Sequence, residues 1–274
     1  MRPRLLGAAR AKWVTVGAAM VLAAAAVLAV FSEAPAGLDP RGCSLDRSLN
    51  PPSFPGHVFG FDLQGCDLLV LTMAGTRNSL LVGTLATIFA LAVAIPVGTT
   101  SGFAGGWVDG LVGRLVDLVT ALPVILIGLV ILSALDERGV LLVAIVMAVA
   151  AWPIYTRVIR AATSRESEQA HVDAARALGA SRSRLLVRHV VPGSLGSVIA
   201  VIPPTIAFTI GAEALLSFLG AGLQLPDVSW GSLLAEAQRY IRQAPHLMLP
   251  GLFLLVVTGA FVIMGESARV RVPD

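Results

Sequence analysis

Uncharged, mainly apolar runs recur six times along this chain, each near the ~20 residues an α-helix needs to cross the hydrocarbon core of a bilayer. Counted between successive charged side chains, with histidine taken as neutral, they are residues 13–32, a run within 78–108, 118–135, 139–156, a run within 189–212 and a run within 243–265. The third and fourth hold 18 residues, so either alone would also suit a buried helix of a soluble protein. Six in succession with short connections leave little room for a soluble core, because hydrocarbon requires backbone polar groups to be satisfied within each helix. The pattern predicts an all-α integral membrane protein with six transmembrane helices.

Composition strengthens this reading. Of 274 residues, 56% are hydrophobic and 14% charged, against roughly 25% charged in soluble domains. Lys and Arg gather in short loops on the cytoplasmic side of a membrane. Here Arg2, Arg4, Arg10 and Lys12 precede the first run, seven arginines from Arg157 to Arg188 lie between the fourth and fifth, and Arg269 and Arg271 follow the sixth. Six spans put all three groups on one side, predicted to be the cytoplasm, with both termini there. The basic pI of about 9.4 is then a topology signal, and no nucleic-acid partner is expected. The first run has a basic start, and Ala34-Pro35-Ala36 loosely imitates a signal-peptide cleavage site. Its length exceeds the usual apolar core of such peptides, so an uncleaved anchor is expected.

Between the first two spans, a polar stretch from about Glu33 to Gly75 carries Pro35, Pro40, Pro51, Pro52 and Pro55 and reads as an ordered extracytoplasmic loop. It divides the chain into residues 1–75, holding the tail, first helix and loop, and 76–274, a five-helix core. Cys43 and Cys66 both fall in the loop, on the side where disulfides persist. A bond between them would staple a segment with little core of its own. Two unpaired thiols, or a metal site completed by His57, are the alternatives, and the lack of a tight C-x-x-C pair gives the metal site little support.

The stretch 157–192 is polar, cytoplasmic in this topology, and holds helix signals. Ser164 or Ser167 is expected to cap a helix whose first turn holds Glu166 and Glu168, acids suited to the positive end of the dipole. The helix would continue through His171, Ala174, Ala175 and Leu178, which share one face. Gly179 supplies a left-handed stop. Ser181 then caps a second helix with Leu185, Leu186 and Val190, which Pro192 ends. An ordinary basic loop remains the plain alternative.

The order Asp173-Ala174-Ala175, three residues, Gly179, nine residues, then His189-Val190-Val191-Pro192 resembles the EAA loop of ABC-importer permeases. Asp173 stands for the family's Glu, His189 for its Ile and Val191 for its Leu, with every spacing kept. Phe59-Gly60-Phe61-Asp62 with Gly65-Cys66-Asp67, Gly75-Thr76-Arg77-Asn78-Ser79-Leu80, Gly105-Gly106-Trp107-Val108-Asp109 and Ser217-Phe218-Leu219-Gly220-Ala221-Gly222 are similar to the dipeptide and oligopeptide branch, in its order. The resemblance implies the type I ABC importer permease fold, half of a translocation pathway for di- or oligopeptides, with nickel or another small solute as the alternative cargo. It implies a coupling helix at Asp173, Ala174, Ala175, Arg176, Leu178 and Gly179 that docks on an ATPase subunit. The implied partners are a homologous permease, two ATPase subunits or a fused pair that bind ATP and Mg, an extracytoplasmic solute-binding protein, membrane lipid and the peptide itself.

No cofactor is expected in this chain. Its one lysine, Lys12, lacks the glycine pattern of a phosphate-binding loop, and neither H-E-x-x-H nor G-x-S-x-G occurs, leaving an intramembrane protease or hydrolase without ligands or nucleophile. A passive channel would have no use for the 20-residue cytoplasmic pattern. Among intramembrane charges, Glu213 is expected either to make structural hydrogen bonds or to serve in a pathway or gate. Asp117 is expected to pair with Arg114, three residues earlier on one face. Trp230 reads as an interfacial anchor, Glu266 as a boundary residue, and Pro203-Pro204 as a place where the fifth helix bends.

Overall fold

The computed structural model describes residues 2–31 and 43–269, with side chains from Lys12 onward. The side chains of Arg2, Arg4 and Arg10, and all of Glu33, Ala34, Pro35, Ala36, Pro40 and Arg271, lie outside the described residues. The chain is helical: α1 (Arg2–Phe31), α2 (Leu68–Ala104), α3 (Gly106–Ala121), α4 (Val124–Ser133), α5 (Val140–Ser167), α6 (Ala170–Ala177), α7 (Arg182–Leu185), a π-turn (Leu186–Val190), α8 (Val191–Ile199), α9 (Ile202–Phe218), α10 (Trp230–Tyr240) and α11 (Leu249–Arg269). Among the described residues, four helices are long and apolar enough to cross a membrane. Two further spans arise if the bent pairs α3–α4 and α7–α9 each count as one.

Both bends have local causes. At the first, 75°, Pro123 offers no N–H and bars Leu122 from helical geometry, so Leu122 is extended, with ψ 132°. At the second, 53°, the ladder breaks around Ala200 and Val201, just ahead of Pro203 and Pro204 in the first turn of α9. Pro192 does not end its helix, contrary to expectation. The π-turn opens the ladder directly before it, and Pro192 occupies the first turn of α8, where a missing N–H costs nothing.

Helix α2 is the mast of the molecule. At ~1.5 Å per residue, its 37 residues reach ~55 Å. It starts eight residues earlier than the sequence division at 75/76, because Asp67 caps it by accepting from the Leu69 and Val70 N–H groups. Arg77 limits an uncharged run but breaks no backbone hydrogen bond, so the helix passes through it. Its most extensive partner is α5. Gly98 and Gly102 form a G-x-x-x-G pair that lets the two backbones approach. A Cβ on Gly98 would lie 2.9 Å from Ile159 Cβ, and one on Gly102 would fall 2.4 Å from the Arg160 carbonyl oxygen. Ala90, Ala94, Tyr155 and Ile159 are buried along the same contact.

Trp230 is not an interfacial anchor. Its ring is fully buried among Ile206, Ile210, Val257 and Leu80, and Gly75 admits it by leaving its Cδ1 3.3 Å from where a Cβ would stand. Burial of a large aromatic is worth more than a place at the headgroups when a glycine opposite makes room for it.

Candidate functional site

Three clusters sit along α2. The first is at its Ala104 end, on the arginine-rich side. Helix α5 passes through Ser164 and ends at Ser167, so the expected caps are an interior and a terminal residue of α5, and Glu166 belongs to its last turn. Helix α6 begins instead after Gln169, without a side-chain cap. It is held from one side by Val172, which is buried with Leu185 and Val190 against Phe103, Ala175, Ala180 and Leu186. His171, Asp173, Ala174, Arg176 and Gly179 are exposed, and Leu178 is 89% exposed. The expected small-residue face is therefore split, with Ala175 turned inward and His171, Ala174 and Leu178 outward.

The turn out of α6 is closed by the chain itself. Ala180 N–H donates to the Ala175 carbonyl and Gly179 N–H to that of Arg176, a Schellman arrangement that needs the left-handed φ of +83° found at Gly179. Ser181 then caps α7 by accepting from the Arg184 N–H. Arg176 Nη1 lies 2.6 Å from Asp173 Oδ1 one turn back. Both are exposed, so this pair orders the surface more than it stabilises the helix. A cleft of about 490 Å³ opens between α2 and this segment, lined by Thr100, Phe103, Arg176, Arg182 and Leu186. Glu166 reaches across to α8, where Gly193 has no side chain to obstruct its carboxyl.

The second cluster is at the Leu68 end. Cys43 and Cys66 are joined in a disulfide, so neither thiol is available to a metal, and His57 Nδ1 instead lies 2.6 Å from Asp67 Oδ2. The loop seats on α10 and the turn before α11. Leu63 N–H donates to Glu236 Oε1 at 2.9 Å, His246 Nε2 meets the Phe61 carbonyl at 3.1 Å, and Leu49 and Phe59 pack against Leu68, Ala237, Ala244 and Leu247. Asp62 is buried here and accepts from the Cys66 N–H at 2.7 Å. Burial pushes its carboxyl up from 3.8 to about 6, helped by the negative Glu236 and opposed by the backbone donors.

The third cluster surrounds Glu213, which is fully buried in α9. Its Oε1 accepts from Ser217 Oγ at 2.6 Å, and its Oε2 faces Ser79 Oγ of α2 at 3.5 Å. Sequence reasoning singled out the acid but not its partners. Ser217 was legible as the residue four positions on, sharing the helix face. Ser79 required knowing that α2 and α9 touch. Val172, the residue that fastens α6, was likewise missed, although it is the one β-branched residue in an alanine-rich helix.

One expected charge relation differs. Asp117 pairs with Arg157 of α5, Oδ1 to Nη2 at 2.7 Å, rather than with Arg114, because a partner on the facing helix lies closer than one on its own. Arg160 of the same helix holds Asp109 at 2.6 Å. Glu266 is an exposed residue near the end of α11, 3.9 Å from Arg269.

Residues 94–268 match the family described as the binding-protein-dependent transport system inner membrane component. The chain is 31% identical over 244 residues to the oligopeptide transport system permease protein OppC of Bacillus subtilis (strain 168), covering 89% of this chain and 79% of that one. It is 31% identical over 245 residues to the glutathione transport system permease protein GsiD of Escherichia coli O6:K15:H31, covering 89% and 80%. Pectobacterium atrosepticum has a GsiD that is 31% identical over 225 residues, covering 82% and 74%. In fold, the chain resembles the MetNI methionine ABC transporter in its inward-facing conformations. The TM-score is 0.63 at 16% identity, over 75% of this chain and 98% of the other. The glycine-locked pair α2–α5, the two broken spans and the projecting α6 are thus set in the type I permease fold, and the chain belongs to the family of inner-membrane components of binding-protein-dependent transport systems.

Proposed function

We propose that this chain is one of two permease subunits of an ATP-driven peptide importer. The observation that carries the proposal is α6. It is a short helix fastened by Val172 to the chain's own helices, with Ala174, Ala177 and Leu178 turned outward beside a cluster of arginines. A projecting apolar tip on a charged rim is what a hydrophobic groove on a partner would grip. The partner is an ATPase subunit, one of two or of a fused pair, which binds ATP and Mg. Asp173, Ala174, Ala175, Arg176, Leu178 and Gly179 form the element that receives its movement. Small residues at 174 and 177 permit close approach, and Gly179 sets the angle of the return.

The arginine-rich side is then cytoplasmic, with both termini, and the disulfide-stapled loop on α10 faces outward to receive a solute-binding protein. A homologous permease completes the pathway. Relatives named for oligopeptides and glutathione, itself a peptide, favour peptide over nickel as cargo. The test is uptake into proteoliposomes holding this chain with its neighbouring transport subunits. Labelled peptide is expected to accumulate only with ATP and binding protein. Flux without ATP, or accumulation of nickel in place of peptide, would overturn the reading.

A further inference from the structure

Beyond the coupling segment, the connection between α9 and α10, residues 219–229, is held in an unusual way. Leu223 N–H donates to Ser217 Oγ at 3.1 Å, and that hydroxyl donates onward to Glu213 Oε1 at 2.6 Å. At the other end, Trp230 N–H approaches Ser79 Oγ at 3.4 Å, whose hydroxyl faces Glu213 Oε2 at 3.5 Å. Each serine accepts a backbone N–H and passes its own proton toward one oxygen of the same carboxyl group. Both ends of the connection therefore converge on one buried side chain.

The backbone fits this arrangement closely. A Cβ on Gly222 would stand 2.0 Å from Ser217 Oγ, and one on Gly231 would stand 2.1 Å from the Ala214 carbonyl oxygen. The two glycines let the connection lie flat on α9 at each arm. It also reaches across to the turn after α4, where Arg138 Nη1 donates to the Gly220 carbonyl at 3.1 Å and Gln224 N–H to the Arg138 carbonyl at 3.1 Å. Helix α10, which it leads into, carries the stapled loop through Glu236.

We propose that Glu213 is a positioning residue for transport, the common anchor that holds the 219–230 segment, and through it α10 and the stapled loop, in register with α9. This rests on the importer reading for its functional consequence, though the anchoring itself does not. Replacing the acceptor by an apolar side chain removes both relays, while removal of one serine weakens one end only, and at the Trp230 end Ser229 also reaches the same carboxyl. The Ser217 arm is the shorter and straighter path, so it carries more of the restraint than the Ser79 arm.

The experiment uses the assembled transporter in nanodiscs, with Glu213→Met, which keeps the length of the side chain and removes both acceptor oxygens, Ser217→Ala and Ser79→Ala compared with wild type. Hydrogen exchange is read over peptides spanning 219–231. Glu213→Met is expected to raise exchange about tenfold at both ends, the scale of one lost buried hydrogen bond at each. Ser217→Ala should act mainly near Leu223, Ser79→Ala mainly near Trp230, and the first more strongly. ATP hydrolysis without binding protein and thermal stability should stay near wild type, while uptake and its stimulation by binding protein fall. A merely structural residue would lower all four together. Unchanged exchange in Glu213→Met, or raised exchange with uptake intact, overturns the proposal. Wild-type uptake that ignores ATP would instead overturn the importer reading and leave the exchange result standing.

Discussion

Replacing Gly102 by alanine should damage this protein out of proportion to one methyl group. The added Cβ would meet the Arg160 carbonyl oxygen at 2.4 Å and Thr163 Cβ at 3.0 Å. Ordinary contact begins near 3.4 Å, so α2 and α5 must separate by ~1 Å at this point, and neither obstacle can rotate away, since one is backbone and the other a Cβ. Overpacking of this kind costs ~1–3 kcal/mol. The position amplifies it. Phe103, the next residue, packs on the Val172 cluster that fastens α6, and Arg160 holds Asp109. The shift is delivered to α6. Purified transporter carrying Gly102→Ala is expected to unfold several degrees lower than wild type and to import less peptide per ATP hydrolysed. Gly98→Ala, with Ile159 Cβ at 2.9 Å, should show a smaller loss. Gly259→Ala in α11, with nothing within 4 Å of the new methyl, should be neutral or stabilising by up to ~1 kcal/mol. Equal melting and equal uptake for Gly102→Ala and Gly259→Ala would refute the close-packing account of the α2–α5 contact.

Three further outcomes are expected. Gly179→Val meets no neighbour within 4 Å but must adopt a φ of +83°, at a cost of at least ~1–2 kcal/mol, so the subunit should insert normally while ATP hydrolysis becomes uncoupled from uptake; wild-type uptake would count against the role given to α6. Non-reduced peptide mapping should recover Cys43 and Cys66 as one cross-linked species, and Cys43→Ser should loosen the loop by ~3 kcal/mol, the entropy of closing a segment of this 23-residue separation; two free thiols would end it. Seating of the loop on α10 should depend on pH through Asp62. Its carboxyl is raised from 3.8 to about 6 by burial, so its neutral form favours the folded loop. That contribution, roughly 3 kcal/mol at most, is fully present below pH ~4 and is lost as pH rises through 6. Protection of the amides at residues 60–68, taken as the intrinsic exchange rate at each pH relative to the observed rate, should therefore fall between pH 4 and 7 in wild type and lose that dependence in Asp62→Asn. A flat wild-type profile would show that Asp62 titrates normally.

Spans were legible in the sequence because lipid imposes a length and a hydropathy that no tertiary contact can override. The breaks within them were less so. Pro203-Pro204 announced a bend, whereas Pro123 lay unremarked inside a run counted as one helix. Charge-to-charge counting placed the start of α2 too late, since the cap is set by Asp67 and not by the last charged residue. The segment from α6 to α7 was legible in its glycine turn and in the cap at Ser181, both of which are local. Its start was not, because α5 has no stop signal at Ser164 or Ser167 and a helix locked to α2 continues until its packing ends. Trp230, Asp117 and Ser79 were misread or missed for a common reason. Each finds its partner on a different helix, and one sequence carries no record of which helices face one another.

The two covalent paths into α6 differ in stiffness, and this constrains how movement at α6 can propagate. The incoming path is α5, whose 28 residues stay helical through Pro153 and are pressed backbone to backbone on α2 at Gly98 and Gly102. The outgoing path is interrupted twice, by the π-turn at Leu186–Val190 and by the 53° bend before α9. A displacement of α6 therefore meets a rigid lever on one side and a compliant joint on the other. The lever includes α2, whose far end seats the stapled loop, so force applied at α6 reaches the opposite face as tilt of the α2–α5 pair. The joint lets α9 keep its own orientation meanwhile. A subunit in which two helices tilt while a third holds its angle changes the width of whatever lies between them, which is the mechanical requirement of a passage that opens alternately at its two ends.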